Sequence, residues 1–315
     1  MQIVVFGDLL YDCFIWADRL PRTGETVTGY ASGFFASGKG GNQAATCARL
    51  GAHTTMLGKV GADERGRFLL DTLRENGVIT QSVIVDSAQA TGTDCVLVGK
   101  DGNNAIVVAP NANAAISLQE VDSLRPAFES AQIALFQLQV NTDAVHHAMR
   151  LARACGTKIV LNPAPACAVE DELFALADYV TPNETEAEFF TGVYREGKTL
   201  YEWCAAAAKS LRGRGAKCVV ITLGEHGAYC LGPDGEMRLP AFDVEAIDST
   251  AAGDAFNAGL AVRLAAGDGL QDAIRYANAC GAITASRRGS MPSLPSRQEV
   301  EAFLEARKGE ALPCA

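Results

Sequence analysis

The segment whose residue types could do the most chemistry is DSTAAGDAFNAG at 248–259. It reads as an Ala/Gly-rich turn opening a long amphipathic helix. The first N–H groups of a helix have no partner within it, and small side chains at Ala251, Ala252 and Gly253 let a ligand reach them. Such a place stabilises negative charge, as on a transferring phosphoryl group. Asp254 falls in the first turn, where a carboxylate can orient and deprotonate a hydroxyl nucleophile. The same residues also suit an ordinary helix start, because Asp and Ser cap helices and Ala favours them.

A second cluster, Gly38–Lys39–Gly40–Gly41–Asn42, is neither the GxxxxGK[ST] phosphate loop nor a GxGxxG fingerprint. Its glycines would let backbone approach a polyhydroxylated ligand, with Asn42 donating and accepting at once. The alternative is a tight strand-to-helix turn. Asp12, just past the first apolar run, suits either vicinal sugar hydroxyls or a solvated cap. Asn183 and Glu186 stand three residues apart, as in a capping box. They would also lie one helical turn apart facing a hydrated Mg²⁺, which needs only one or two carboxylates. Thr222–Leu223–Gly224 ends a strand at the sheet edge where α/β ligands bind. His146 and His147 fall in a helix pattern, expected exposed, with no assigned role.

These residues need positioning elements. The apolar run 3–6 reads as a buried strand, 26–36 as an exposed, bulged strand, and 37–45 as a glycine-rich stretch leading into a helix. One strand is expected over 54–60, a helix over 66–76, a strand over 81–85, and a hairpin over 93–108 around the Asp101–Gly102 turn. From 133 onward strands alternate with helices: strands at 133–138, 158–161, 179–180 and 218–222, helices at 142–155, 169–176, 184–191 and 200–212. That rhythm indicates βαβ units and a parallel sheet. Helices over 252–264 and 270–284 and a tail helix from about 297 complete the chain. The fold class is therefore α/β, doubly wound. The β-rich segments at about 12–35 and 90–108 break the rhythm and suit a small sheet covering the edge of the main domain.

Composition sets outer bounds. The 315 residues are 48% hydrophobic and 20% charged, enough for a substantial core. Lys and Arg total 27 against 37 Asp and Glu, a net charge of −10, which disfavours a nucleic-acid or anionic-membrane partner. The ten cysteines include no CxxC pair and read as free thiols in a reducing cytoplasm. Cys95 reads as a small apolar filler. No signal-peptide pattern or membrane-spanning run is present.

Taken together, the segments resemble the ribokinase-like (PfkB) carbohydrate kinase family. The resemblance runs from residue 3 to about 295. It rests on GDLLYD (7–12), PRTGETVTG (21–29), GKGGNQAA (38–45), LNPAPA (161–166), TPNETEAE (181–188), ITLGEHG (221–227) and DSTAAGDAFNAG (248–259), in that order. It implies a three-layer α/β/α ribokinase-like fold with a small β-sheet lid, forming one kinase domain over 1–315. It implies ATP-dependent phosphorylation of a primary sugar hydroxyl, foremost ribose to ribose 5-phosphate. By that resemblance Asp254 is the catalytic base and Ala251, Ala252 and Gly253 form the anion hole. Asp12, Gly38, Lys39, Asn42 and Gln139 contact the sugar. Asn183, Glu186, Thr222 and Gly224 serve the nucleotide side, with Asn278 near the adenine. Glu186 organises Mg²⁺, and Asp248 and Thr250, with the loop 286–293, hold K⁺. A homodimer through the lid sheet is also implied.

Two departures bear on the acceptor. The ribose-reading pattern QLE is Gln137–Leu138–Gln139 here, so a charge is lost and a donor gained. Ser37 replaces the first glycine of a doublet before the lysine. Both leave phosphoryl transfer intact and keep other acceptors in play: a ketohexose, a nucleoside or a sugar acid, the last with Arg19 and Arg22 as candidate cations. A non-catalytic sugar or nucleotide sensor is the reading from another class.

Overall fold

The computed structural model describes residues 1–101 and 103–308. Gly102 of the expected turn and Cys314 lie outside the described residues. In chain order, β1 (Gln2–Phe6), β2 (Leu10–Ala17), β3 (Gly29–Ser37), α1 (Lys39–Arg49), β4 (His53–Leu57), β5 (Lys59–Gly61) and α2 (Glu64–Glu75) come first. Next are β6 (Ile84–Asp86), β7 (Thr93–Gly99), β8 (Asn104–Ala109), α3 (Leu118–Ser123), α4 (Arg125–Ser130), β9 (Ile133–Phe136), α5 (Thr142–Ala154) and β10 (Lys158–Leu161). Then follow α6 (Asp171–Leu176), β11 (Tyr179–Val180), α7 (Glu184–Thr191), α8 (Leu200–Gly213), β12 (Val219–Thr222), β13 (Ala228–Gly232) and β14 (Gly235–Leu239). α9 (Ala252–Ala266), α10 (Leu270–Ala285) and α11 (Arg297–Ala306) end the chain.

The large sheet has the order β14-β13-β12-β11-β10-β9-β1-β4. From β4 to β12 neighbours run parallel, and β13 and β14 add an antiparallel edge. Its strands are apolar on both sides because helices cover both faces. Ile3 and Val5 of β1 pack into one core with α1, α2, α9 and α10, whereas Val4 and Phe6 pack into the other with α3 to α8. Alternate residues of a strand point to opposite faces, so each strand feeds both cores, and the result is three layers.

A separate sheet has the order β3-β2-β7-β8. The pairing sets Phe35, Asp12, Asp94 and Val108 in one row across it, and Phe34, Cys13, Cys95 and Val107 in the adjacent row. Neighbouring rows face opposite sides. The Asp12 row faces the large sheet's carboxyl edge. On the other side, Phe34 and Val107 are exposed.

The structure corrects several expected elements. The glycine cluster at 37–45 is not a stretch ahead of a helix, since α1 starts at Lys39 and contains Gly40 and Gly41. The reason is a close approach: a Cβ on Gly40 would lie 2.7 Å from the Gly7 carbonyl carbon. The strand expected over 54–60 is broken at Gly58, where a Cβ would lie 2.6 Å from the Gly7 oxygen. β5 therefore leaves the large sheet and pairs with β6. α9 is not amphipathic: residues 254 to 262 are buried without interruption, because α1, α10 and the sheet surround it. His146 and His147 are half-buried and lie beside Glu172 and Asp122. Cys95 is half-buried and lies directly across from Cys13. Among the described residues, no helix is long and apolar enough to cross a membrane.

Candidate active site

The site grows from the end of β1. Gly7 allows α1 to start against it, and Gly38, at φ 94°, supplies the turn from β3 into α1. The Gly40 N–H donates to Asp8 Oδ1 at 3.0 Å, so a carboxylate caps the helix start from β1 rather than from its own chain end. Asp8 is fully buried, and that burial raises its pKa to about 6, against the lowering effects of the Gly40 N–H and the Lys39 charge. Its Oδ2 has no donor within the described protein.

One turn into α1, Asn42 Nδ2 donates to Asp254 Oδ2 at 3.0 Å and Gln43 Nε2 donates to Asp254 Oδ1 at 3.0 Å. Gln43 is itself fixed by Gln137, whose Nε2 donates to Gln43 Oε1 at 2.5 Å. Asn162 adds a longer contact to Gln43 at 3.3 Å. Asp254 is thus held by two neutral donors with its carboxylate plane set. Burial raises its pKa, while the Lys39 charge and the two amide bonds oppose the rise. A raised carboxylate is a better proton acceptor near neutral pH.

At the start of α9, Ala251 adopts φ 62°, a left-handed conformation that costs a non-glycine residue roughly 1–2 kcal/mol. That twist turns successive N–H groups toward one spot. The Ala252 N–H is taken by the Ser249 carbonyl at 3.1 Å. The N–H groups of Ala251, Gly253 and Asp254 find no acceptor within the described protein. They border a cavity of about 320 Å³, also lined by Lys39, Asn183, Glu186 and Thr222. A Cβ on Gly253 would meet nothing within 4 Å, so the space beside these donors is open.

Glu186 lies across this cavity. Its Oε2 accepts the Asn183 N–H and its Oε1 the Asn183 Nδ2, both at 2.9 Å, in a full capping box at the start of α7. Burial raises its pKa, partly offset by the Asn183 N–H and Lys39. Lys39 makes no ion pair within 4 Å among the described residues. Its charge nevertheless acts on Asp8, Glu186 and Asp254 together.

A larger cavity of about 990 Å³ lies beneath the small sheet. Asp12, Phe14, Trp16, Phe35, Asp94 and Val96 face it from that sheet, and Lys39 at the start of α1, Gln139 after β9 and Arg288 after α10 line it from elsewhere. The two cavities meet at Lys39, Thr250, Ala251 and Asp254. Groups entering from the two spaces would therefore converge on one carboxylate.

The model of pfkB family carbohydrate kinases matches residues 1–297. The chain belongs to the pfkB family of carbohydrate kinases. The chain is similar, at 36% identity over 96% of its length and 98% of the relative's, to a ribokinase of Haemophilus influenzae. A deoxyribokinase of Salmonella typhi is 31% identical, covering 96% of this chain and 99% of that one. The solved structure of Arabidopsis thaliana ribokinase complexed with ribose and ATP superposes with a TM-score of 0.90 at 28% identity, over 96% and 98% of the two chains. The fold is the ribokinase-like α/β/α fold, and the reaction is ATP-dependent phosphorylation of a carbohydrate.

Within this pfkB kinase, the structure gathers Lys39, Asn183, Glu186, Thr222, Thr250, Ala251, Gly253 and Asp254 around the smaller cavity. Asp12, Gly38, Lys39, Asn42, Gln139 and Asp248 line the larger one. Ala252, Gly224 and Asn278 border neither, and Ala252, expected in the anion hole, has its N–H already taken by Ser249. Gly224 opens a short 3₁₀ turn after β12, and Asn278 Nδ2 donates to the Pro240 carbonyl at 3.0 Å. Gln43, Asp8 and Asp94 were not singled out by sequence reasoning. Their polarity inside apolar or glycine-rich runs was the available signal.

Asp8 yields a pH test. Its folded pKa lies above the unfolded value of 3.8, so the folded protein binds the extra proton and loses stability as pH rises from about 4 to about 6. Asp8→Asn removes that loss. In thermal melts, the stability gap between variant and wild type should open across that window and stay flat above it. A gap independent of pH would contradict this account.

Proposed function

We propose that this chain transfers the γ-phosphoryl group of ATP to the primary hydroxyl of ribose, giving ribose 5-phosphate and ADP. The observation that carries the reading is that Asp254 borders both cavities with its carboxylate fixed by Asn42 and Gln43. The sugar sits beneath the small sheet, contacted by Asp12, Gly38, Lys39, Asn42 and Gln139. Asp254 accepts the hydroxyl proton as the oxygen attacks phosphorus in line. The new O–P bond forms as the bond to the ADP oxygen breaks. The free N–H groups beside Ala251 and Gly253, together with Lys39, take up the charge on the transferring group. The ATP side is served by Asn183, Thr222 and Gly224, with Asn278 toward the base. The small sheet acts as a lid that excludes water, and 1–315 works as one kinase unit. The intact Asp254 favours an enzyme over a sensor. The Salmonella relative's printed activity makes 2-deoxyribose the second acceptor to test.

The test is ADP release across ribose, 2-deoxyribose, ketohexoses, nucleosides and sugar acids, beside Asp254→Asn. Ribose should give the highest kcat/KM, and the variant should lose about 10²–10⁴-fold in kcat with its melting temperature retained. A variant as active as wild type would remove Asp254 from the reaction.

Both Glu186 oxygens already accept one N–H, and each keeps a further lone pair. That arrangement suits the outer waters of a hydrated Mg²⁺, which would offset phosphate charge, better than direct ligation. Glu186→Gln keeps a capping-box residue while removing the charge. The Mg²⁺ concentration for half-maximal rate should then rise about tenfold, with stability little changed. An unaltered Mg²⁺ dependence would refute this role. Asp248 is also fitted to a cation. Burial raises its pKa, but the Thr250 and Gly289 N–H groups, at 3.0 Å, bring it below the ordinary value. With Thr250 and the loop 286–293 it would hold K⁺, whose charge would help to shape the anion-binding turn. The same assay with and without K⁺ reads that effect.

Phe34 and Val107, exposed on the far face of the small sheet, support a homodimer through that sheet. Sedimentation should give a dimer for wild type and a monomer for Val107→Asp. A monomeric wild type would end this reading. ATP as co-substrate and the free thiols of the nine described cysteines support a reducing, cytoplasmic setting.

A further inference from the structure

The larger cavity holds a second carboxylate that the reaction above does not use. Asp94 of β7 stands opposite Asp12 of β2 in the parallel register of the small sheet, so both side chains leave the same face. Both are at least nine-tenths buried and both line the cavity. Asp12 Oδ1 and Asp94 Oδ1 receive no hydrogen bond from the described protein. No Lys or Arg lies within ion-pair distance of either among the described residues. Their flanking neighbours on this face, Phe14 and Val96, are apolar. Burial, and the proximity of the two carboxyls, push the Asp12 pKa well up and keep a proton at the pair. The Ser37 side chain is the protein donor that acts on Asp12, and both carboxyls line the cavity, where hydroxyls of an acceptor could add donors.

The position of the acid is informative. At Gln139, across the same cavity, the ribose-reading pattern has a carboxylate and this chain has an amide. Asp248 and Asp254 line the cavity from the far side, and Asp12 and Asp94 are the two acids that the small sheet brings to it.

We infer that Asp94 is a second acceptor-binding carboxyl, which with Asp12 takes neighbouring hydroxyl donors of a neutral polyol and sets the hydroxyl pattern this kinase accepts. The inference rests on the proposed sugar-kinase function and names its specificity determinant. A pair holding one proton offers one donor and several acceptors, which matches a diol and repels a carboxylate or phosphate on the acceptor.

The test is steady-state ADP release by wild type, Asp94→Asn and Asp94→Ala. The acceptors are ribose, 2-deoxyribose, ribonate and an amino pentose. Asp94→Ala should raise the KM for the preferred neutral sugar about 10- to 100-fold, the range for a lost hydrogen bond to a charged group, with a far smaller change in kcat and none in the KM for ATP. Asp94→Asn, which keeps an acceptor oxygen and nearly the same shape, should fall between. Thermal melts should show Asp94→Asn at least as stable as wild type, which a structural carboxylate would not give. If wild type uses ribose and both variants keep its KM, the inference alone fails. If wild type prefers another neutral sugar, the ribose reading fails and the KM change on that sugar decides the inference. A wild type that prefers ribonate or the amino pentose, or that is silent on the whole panel, overturns the inference.

Discussion

A helix can start in backbone contact with the end of a strand only where neither carries a side chain at the contact. Gly7 and Gly40 meet this condition: a Cβ on Gly7 would lie 2.9 Å from the Gly40 Cα. Gly38 adds the left-handed turn that brings the chain in from β3. That placement delivers Asp8 to the helix start, and Asn42 and Gln43 to Asp254, without any long side chain bridging a gap. A bulkier residue at either glycine would push α1 away from the sheet. The amides would then leave Asp254, and the carboxylate would lose its orientation.

The charges follow a second logic. Asp8, Glu186 and Asp254 are all buried with raised pKa values, and Lys39 is the cation that acts on all three. Asp8, raised to about 6 by burial, is ionised at neutral pH and costs the fold stability there. Ala251 adds backbone strain at the same place. Lys39, Ala251 and Asp254 lie where the two cavities meet. The remaining core, two apolar layers on one parallel sheet, carries no such burden.

Much of this was legible in the chain. The βαβ rhythm after residue 133 and the order of the motifs pointed to the three-layer fold, and the small residues before Asp254 pointed to an anion site. Other features depend on placement that local pattern does not encode. The glycines at 38–41 read as a turn leading into a helix because glycine disfavours helices. The helical state of Gly40 and Gly41 goes with the close approach of Gly40 to Gly7 and Asp8, just past β1. α9 read as amphipathic, yet its neighbours bury residues 254 to 262 without interruption. Gln43 looked like any polar residue on a helix, since its aim at Asp254 requires α1 and α9 to cross. Asp94 drew no notice in a hairpin strand, because its significance comes from cross-strand register with Asp12.

β3 ends at Ser37 and α1 begins at Lys39, with Gly38 alone between them. The strand that roofs the larger cavity and the helix that holds Asp254 are therefore almost one rod with a single joint. Any tilt of the small sheet is a torque on that joint. A sheet that swings down over a sugar would thus carry Lys39 and Asn42 with it, so that closing the chamber and setting the chemistry are one mechanical event.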